Sequence, residues 1–171
     1  TFHEAVTAIE EGKKTIIFSR YSGKPLGGKE KAEAAEKFGT DLPIPELTEE
    51  GGTIPELLKM CIRKRKEDPT FGYVVLTGKS IILNDEIMPK KGNIQHAVDT
   101  FSSDPDCNLF VGQTAATGTG LNLQAAEYSI FNDFGYQPAE QEQAEDRTRR
   151  INQVKCTSVV YVVAENCAIE R

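Results

Sequence analysis

A chain of 171 residues, 39% hydrophobic and 27% charged, has the size and composition of one globular domain able to bury a substantial core. Its formal net charge of -6 excludes binding nucleic acid through overall charge and leaves only a local track of lysines and arginines for that purpose. The longest strongly apolar run, Val159 to Ala164, is far too short to cross a bilayer, and no signal peptide is visible. Cysteines at 61, 107, 156 and 167 make no C-x-x-C pair and have no histidine at zinc spacing, so reduced, buried thiols are expected and no metal site. The first residue is Thr1 rather than methionine, as expected for a piece of something longer.

Phe2, Ala5, Val6 and Ile9 fall at helical spacing, and Gly12 ends that first helix. Thr15 to Phe18 is a continuous β-branched and aromatic run suited to a strand covered on both faces. Ser19, Arg20 and Tyr21 follow at its carboxyl end, where ligand-facing loops sit in open parallel sheets. Between Ser22 and Thr53 six of the fourteen glycines cluster with Pro25, Pro43 and Pro45, which marks a loop-rich insertion with one possible helix at 29–38. From Ile54 to Glu67 the chain reads as a helix, with Pro55 in its first turn and a stripe of Leu57, Leu58, Cys61 and Ile62. Its end, Arg63 to Lys66, is the densest basic cluster, suited either to the helix dipole or to nucleic acid.

Phe71 to Leu76 predicts a second strand, and Ser80 to Leu83 either extends the sheet or belongs to a loop. A helix over 93–102 carries Ile94, Ala97, Val98 and Phe101, leaving His96 a surface or packing residue. Strands are expected at 107–111, at 128–131 and at 158–164, the last buried on both faces. This alternation predicts an α/β fold with a mainly parallel sheet.

Two stretches carry chemistry. After the third strand, Gln113 to Ala126 (QTAATGTGLNLQAA) combines a small-residue loop containing Gly118 and Gly120 with a helical-looking segment, an arrangement that brings backbone N–H groups close to an anion. Leu123 stands where a dinucleotide fingerprint needs a third glycine, and no phosphate-cradling loop of the full G-x-x-x-x-G-K-S/T kind is present, so the chain does not bind ATP by that means alone. Gln143 to Gln153 (QAEDRTRRINQ) puts Arg147 and Arg150 three apart, on one face of a helix, as forked donors suited to phosphate oxygens. A salt-bridged surface helix, with Glu145 and Asp146 neutralising the arginines, is the alternative.

In order, KKTIIFSRY, the loop TGTGLNLQAA, a turn with proline, QAEDRTRRINQ and VVYVVAENCAIE resemble the second, C-terminal RecA-like lobe of Swi/Snf-related ATPases of helicase superfamily two, nearest the branch of annealing helicases. The likeness covers 13–19 and 71–171, leaving the insertion at 22–53 aside. Gln143, Ala144, Arg147, Arg150 and Gln153 match the family's last motif, with Asn152 in place of glycine. Gly118, Gly120, Leu121, Asn122 and Leu123 match its glycine loop, where Ala115 and Thr117 depart from the usual arginine and glycine.

The resemblance implies a RecA-like three-layer α/β fold over 1–171, with a mainly parallel central sheet flanked by helices. It implies a DNA-dependent ATPase whose ATP and Mg2+ are held mainly by an N-terminal RecA-like lobe outside this chain, so that the fragment alone is inactive. Arg147 and Arg150 are then arginine fingers; Gln143, Gly118 and Gly120 contact nucleotide; and Thr114, Asn122, Ser19 and Arg20 meet the duplex DNA backbone. Asn122 also suits a plain helix cap. An intracellular location follows, nuclear in a eukaryote or cytoplasmic in a bacterial or phage host, with no membrane partner. A non-catalytic lobe that docks DNA or protein, or a motor acting on RNA, are the alternative functions.

Overall fold

All five residues of β1 (Thr15–Ser19) are buried, which requires cover on both faces and pairing on both edges. The computed structural model describes residues 1–20, 24–25, 49–50, 52–78, 80–114, 121–133, 142, 144–146, 148 and 157–163. In it β1 lies between β7 (Cys107–Gln113) and β8 (Tyr128–Phe131), parallel to both. The sheet continues outward through β4 (Gly72–Leu76), β5 (Ser80–Leu83) and β6 (Glu86–Pro89) on one side and β9 (Ser158–Tyr161) on the other. Its seven strands run in the order β6-β5-β4-β7-β1-β8-β9, with only β5 and β6 antiparallel to their neighbours.

Side chains alternate across this sheet, so its two faces bury two separate cores. On one face Ile17, Val75, Leu109, Val111 and Ile130 meet α1 (Phe2–Glu10) and α2 (Thr53–Glu67). The expected stripe Leu57, Leu58, Cys61 and Ile62 is buried there. Each aliphatic side chain so buried contributes about 2 kcal/mol. On the other face Ile16, Phe18, Val74, Phe110 and Phe131 pack against Ala97, Val98 and Phe101 of α3 (Lys90–Ser103), with Leu121, Leu123, Ala126 and Ala144. The result is a three-layer α/β fold with a mostly parallel sheet, as the sequence implies. Regular helix in α3 begins beyond Lys91 and Gly92, whose φ/ψ values are non-helical, close to the expected start at 93. His96 is exposed.

Ser80–Leu83 does extend the sheet, and it brings β6 with it. The link is a two-residue turn in which Asn84 and Asp85 both have positive φ (50° and 73°), the backbone that short hairpins demand and Asn and Asp tolerate.

Two expectations are corrected. β9 is not buried on both faces: Ser158 and Tyr161 are exposed and Val159 and Val160 only half-buried, because among the described residues it forms the sheet edge, with β8 as its one neighbour. The segment at 121–126 is not helical; Leu121, Leu123 and Ala126 reach the core from an irregular stretch with a turn at Gln124 and Ala125. Most of the insertion, including the helix expected at 29–38, lies outside the described residues. Its ends, β2 (Lys24–Pro25) and β3 (Glu49–Glu50), pair as an antiparallel ribbon. Cys156 and Cys167 also lie outside, whereas Cys61 and Cys107 are free, buried thiols as expected. No helix among the described residues is long and apolar enough to cross a membrane.

Candidate functional site at the carboxyl edge of the sheet

Five parallel strands point their carboxyl ends the same way, which places Ser19, Thr114 and Asp133 along one edge of the sheet. In open α/β sheets that edge is where ligands bind. β1 and β8 are bound together just beyond their last paired residues. The Ser19 hydroxyl donates to one carboxylate oxygen of Asp133 at 2.5 Å, and the Arg20 backbone N–H donates to the other at 2.8 Å. The carbonyl of Arg20 accepts from the Gln113 side-chain amide at 3.4 Å, so the same residue is also tied to β7.

Aromatic packing stiffens this edge. Phe18, Phe131 and Tyr161 stand in register on β1, β8 and β9 and stack in sequence, with ring centroids 4.8 and 5.2 Å apart. Tyr161 also donates its hydroxyl to the Glu145 carboxylate. Thr157 Oγ1, just before β9, bonds the Thr148 carbonyl at 3.2 Å. Residues 142, 144–146 and 148 are helical, as expected, and Ala144 and Thr148, one turn apart, are buried. The described part of the arginine-rich stretch is therefore docked on the sheet through its small residues and on β9 through Glu145.

The sequence candidates divide by position. Ser19 is fully buried with its hydroxyl directed at Asp133, Arg20 is half-buried, and Thr114 is buried at 8% exposure directly after β7. Asn122 is exposed, and its side-chain oxygen accepts from the Gln124 N–H at 3.4 Å, which caps a turn and not a helix. Gly118, Gly120, Gln143, Arg147 and Arg150 lie outside the described residues. Asp133 and Gln113 escaped sequence reasoning; the available signal was an acid and an amide at strand ends aligned with Ser19. Among the described residues no three His, Cys, Asp or Glu side chains gather into a metal site.

The basic cluster belongs to the opposite edge. α2 starts beside β8, where Asn132 Nδ2 donates to Thr53 Oγ1 at 3.4 Å, and ends next to the start of β4, roughly 22 Å away at 1.5 Å per residue. There Arg65 donates to the Phe71 carbonyl at 2.8 Å and its Nε lies 3.4 Å from Asp85. Asp85 also accepts the Tyr73 hydroxyl at 2.6 Å. Burial, and then this hydrogen bond, push the Tyr73 hydroxyl well above its ordinary range. Burial likewise raises the Cys61 thiol, and it pushes Cys107 up to about 12 against the opposing pull of the Lys14 ammonium. These are groups held neutral by packing, so this edge is structural.

Comparison with known proteins fits this architecture. The helicase conserved C-terminal domain family matches residues 55–152, more than half of the chain. The chain is 36% identical over 93 residues to the SWI/SNF-related matrix-associated actin-dependent regulator of chromatin subfamily A containing DEAD/H box 1 of Xenopus tropicalis, covering 54% of this chain and 8% of that protein. It is 35% identical over 69 residues to the human DNA annealing helicase and endonuclease ZRANB3, covering 40% of this chain and 6% of the relative. The aligned segments thus span well under a tenth of these curated relatives. The crystal structure of the C-terminal part of the Fun30 ATPase domain superposes with a TM-score of 0.59 at 20% identity, covering 93% of this chain and 37% of that one. The chain belongs to the helicase conserved C-terminal domain family, and its α/β fold is RecA-like, like that of the C-terminal part of the Fun30 ATPase domain.

Proposed function

We propose that the chain is the nucleotide-closing lobe of a DNA-dependent ATPase that translocates on duplex DNA. ATP and Mg2+ would be held mainly by a first RecA-like lobe of the same protein. The observation that carries this function is the family match over 55–152, which takes in Gln143, Arg147 and Arg150 of the QAEDRTRRINQ motif at family spacing.

On lobe closure Arg147 and Arg150 stabilise the charge that builds on the phosphoryl oxygens in the transition state, and Gln143 senses the same phosphate. Gly118 and Gly120 let their loop run close to nucleotide and DNA without side chains in the way. Thr114, Asn122 and Arg20 supply contacts to the DNA backbone, which position the duplex without reading its sequence. Ser19, buried under Asp133, supports these contacts from inside the fold. Magnesium supplies charge neutralisation at the phosphates, and no described side chain of this chain is assigned to it.

Arg150→Ala in the full-length protein tests the proposal. Hydrolysis should fall by about a thousandfold or more while ATP binding is retained, as for loss of an arginine finger. Near-normal turnover would overturn the assignment and leave a lobe that only docks DNA or protein. Stimulation by RNA in place of duplex DNA would move the substrate to RNA.

A further inference from the structure

We infer that Asp133 is a positioning residue that sets the carboxyl end of β1 against that of β8 for the DNA-coupled reaction. This deepens the lobe function proposed above and rests on it. Asp133 follows β8 by two residues and stands at the start of the connection toward the arginine-bearing stretch. Its carboxylate closes on two donors of the neighbouring β1 end, Ser19 Oγ at 2.5 Å and Arg20 N–H at 2.8 Å. Both bonds are charge-assisted, and Ser19 is fully buried, so this pair has few ways to reorganise. The carbonyl of the same residue, in the next peptide, accepts from Gln113, the last residue of β7, before the glycine-containing loop.

The ends of three strands therefore meet at one residue, Arg20. Two of those strands lead into the stretches proposed to touch nucleotide and DNA. A shift of Arg20 is resisted by bonds to both neighbouring strands, so the carboxyl end of β1 is coupled to theirs. Asp133 acts through Ser19 and Arg20 and needs no contact with DNA or ATP.

The substitutions that separate this role from a general packing role are Asp133→Ala and Asp133→Asn in the full-length protein. Asparagine keeps one carbonyl oxygen for the Arg20 N–H, and its amide can donate to Ser19 Oγ, so both links survive without charge. Amide hydrogen exchange at Arg20 should quicken about tenfold or more in the alanine variant and stay within about threefold of wild type in the asparagine variant. The DNA concentration giving half-maximal stimulation of ATP turnover should rise about tenfold or more in Asp133→Ala, which loses both charge-assisted hydrogen bonds, and recover to within about twofold in Asp133→Asn.

Ser19→Ala in the Asp133→Ala background should add nothing further, since the two residues act through one bond. Unchanged exchange at Arg20 in the alanine variant overturns the inference. So does an asparagine variant as impaired as alanine, or a serine effect that multiplies with that of Asp133. A wild-type protein whose turnover ignores DNA sinks the lobe function instead, and the exchange comparison still decides whether Asp133 holds the Arg20 peptide.

Discussion

At the amino edge of the sheet Lys14 and Arg65 are turned onto the protein's own carbonyl groups, whereas at the carboxyl edge a carboxylate gathers the donors. Lys14 Nζ donates to the carbonyls of Phe101, Asp104 and Cys107 at 2.6, 2.6 and 3.0 Å, closing the end of α3 and the start of β7 with a single cation. Cations are favoured at helix carboxyl ends, where unpaired carbonyls concentrate negative potential. Arg65 does the same for Phe71 before β4. At the carboxyl edge the bonds of Asp133 run between loops and hold them relative to one another. Lys14 and Arg65 are thus engaged in folding at one edge, and the chemistry proposed for arginine belongs to the stretch that continues from the other.

The comparison breaks if substitutions at the two edges have the same kind of effect. At the carboxyl side, Arg150→Ala is the largest case: turnover lost, with the thermal midpoint of the chain unmoved. At the amino side the largest effect is expected from Gly72→Ala. A Cβ there would lie 2.6 Å from the Asp106 carbonyl oxygen and 2.9 Å from Cys107 Cα, both backbone atoms that cannot swing aside. The strands approach this closely where the β4–β7 register shifts between Gly72 and Tyr73. Forcing them apart should cost about 2 to 3 kcal/mol, read as a lower denaturant midpoint. Turnover per folded molecule should remain that of wild type, and a selective loss of turnover would mean the amino edge is not merely structural.

Lys14→Met keeps much of the aliphatic stem and removes the ammonium, so it tests the same point at smaller scale. Three carbonyls lose their shared donor, at a cost of about 2 kcal/mol in a urea or guanidinium titration. A change below about 0.5 kcal/mol would show that water replaces the ammonium at those carbonyls.

How far the sequence revealed each edge follows from what kind of signal the edge leaves. β1 and α2 were legible because a run of adjacent β-branched and aromatic residues, or apolar residues at helical spacing, suffices to define a strand or helix locally. β6 was not: Glu86–Pro89 is short, opens on an acid and ends on a proline, and it becomes a strand only because the Asn84-Asp85 turn folds it back on β5. β9 looked like a central strand because an apolar run does not encode its rank in the sheet. The matched motifs gave the family, and the residues interleaved with Arg147 proved helical, but Asp133 depends on Ser19, 114 positions away, and no local pattern reports that pairing.

The smallest effect concerns pH and again separates the edges. Cys107 opens β7 within reach of Lys14, and burial raises its thiol from 9.0 to about 12 in spite of that cation. The folded chain then keeps the proton while the unfolded chain gives it up, so between these values the unfolded state binds fewer protons and is favoured. The stability supplied by the neutral thiol is complete below about pH 9 and is lost as the pH rises through about 12. Unfolding midpoints should therefore decline over that window, and Cys107→Ala should make the decline shallower, with Cys61 and Tyr73 supplying the rest, at the expense of a lower plateau from the small cavity it leaves. The same window should leave the Arg20 amide protection relative to global unfolding unchanged, because no thiol is among the groups that hold that peptide. A decline of equal slope in Cys107→Ala would assign the alkaline loss to other groups and remove the thiol from the amino edge's contribution.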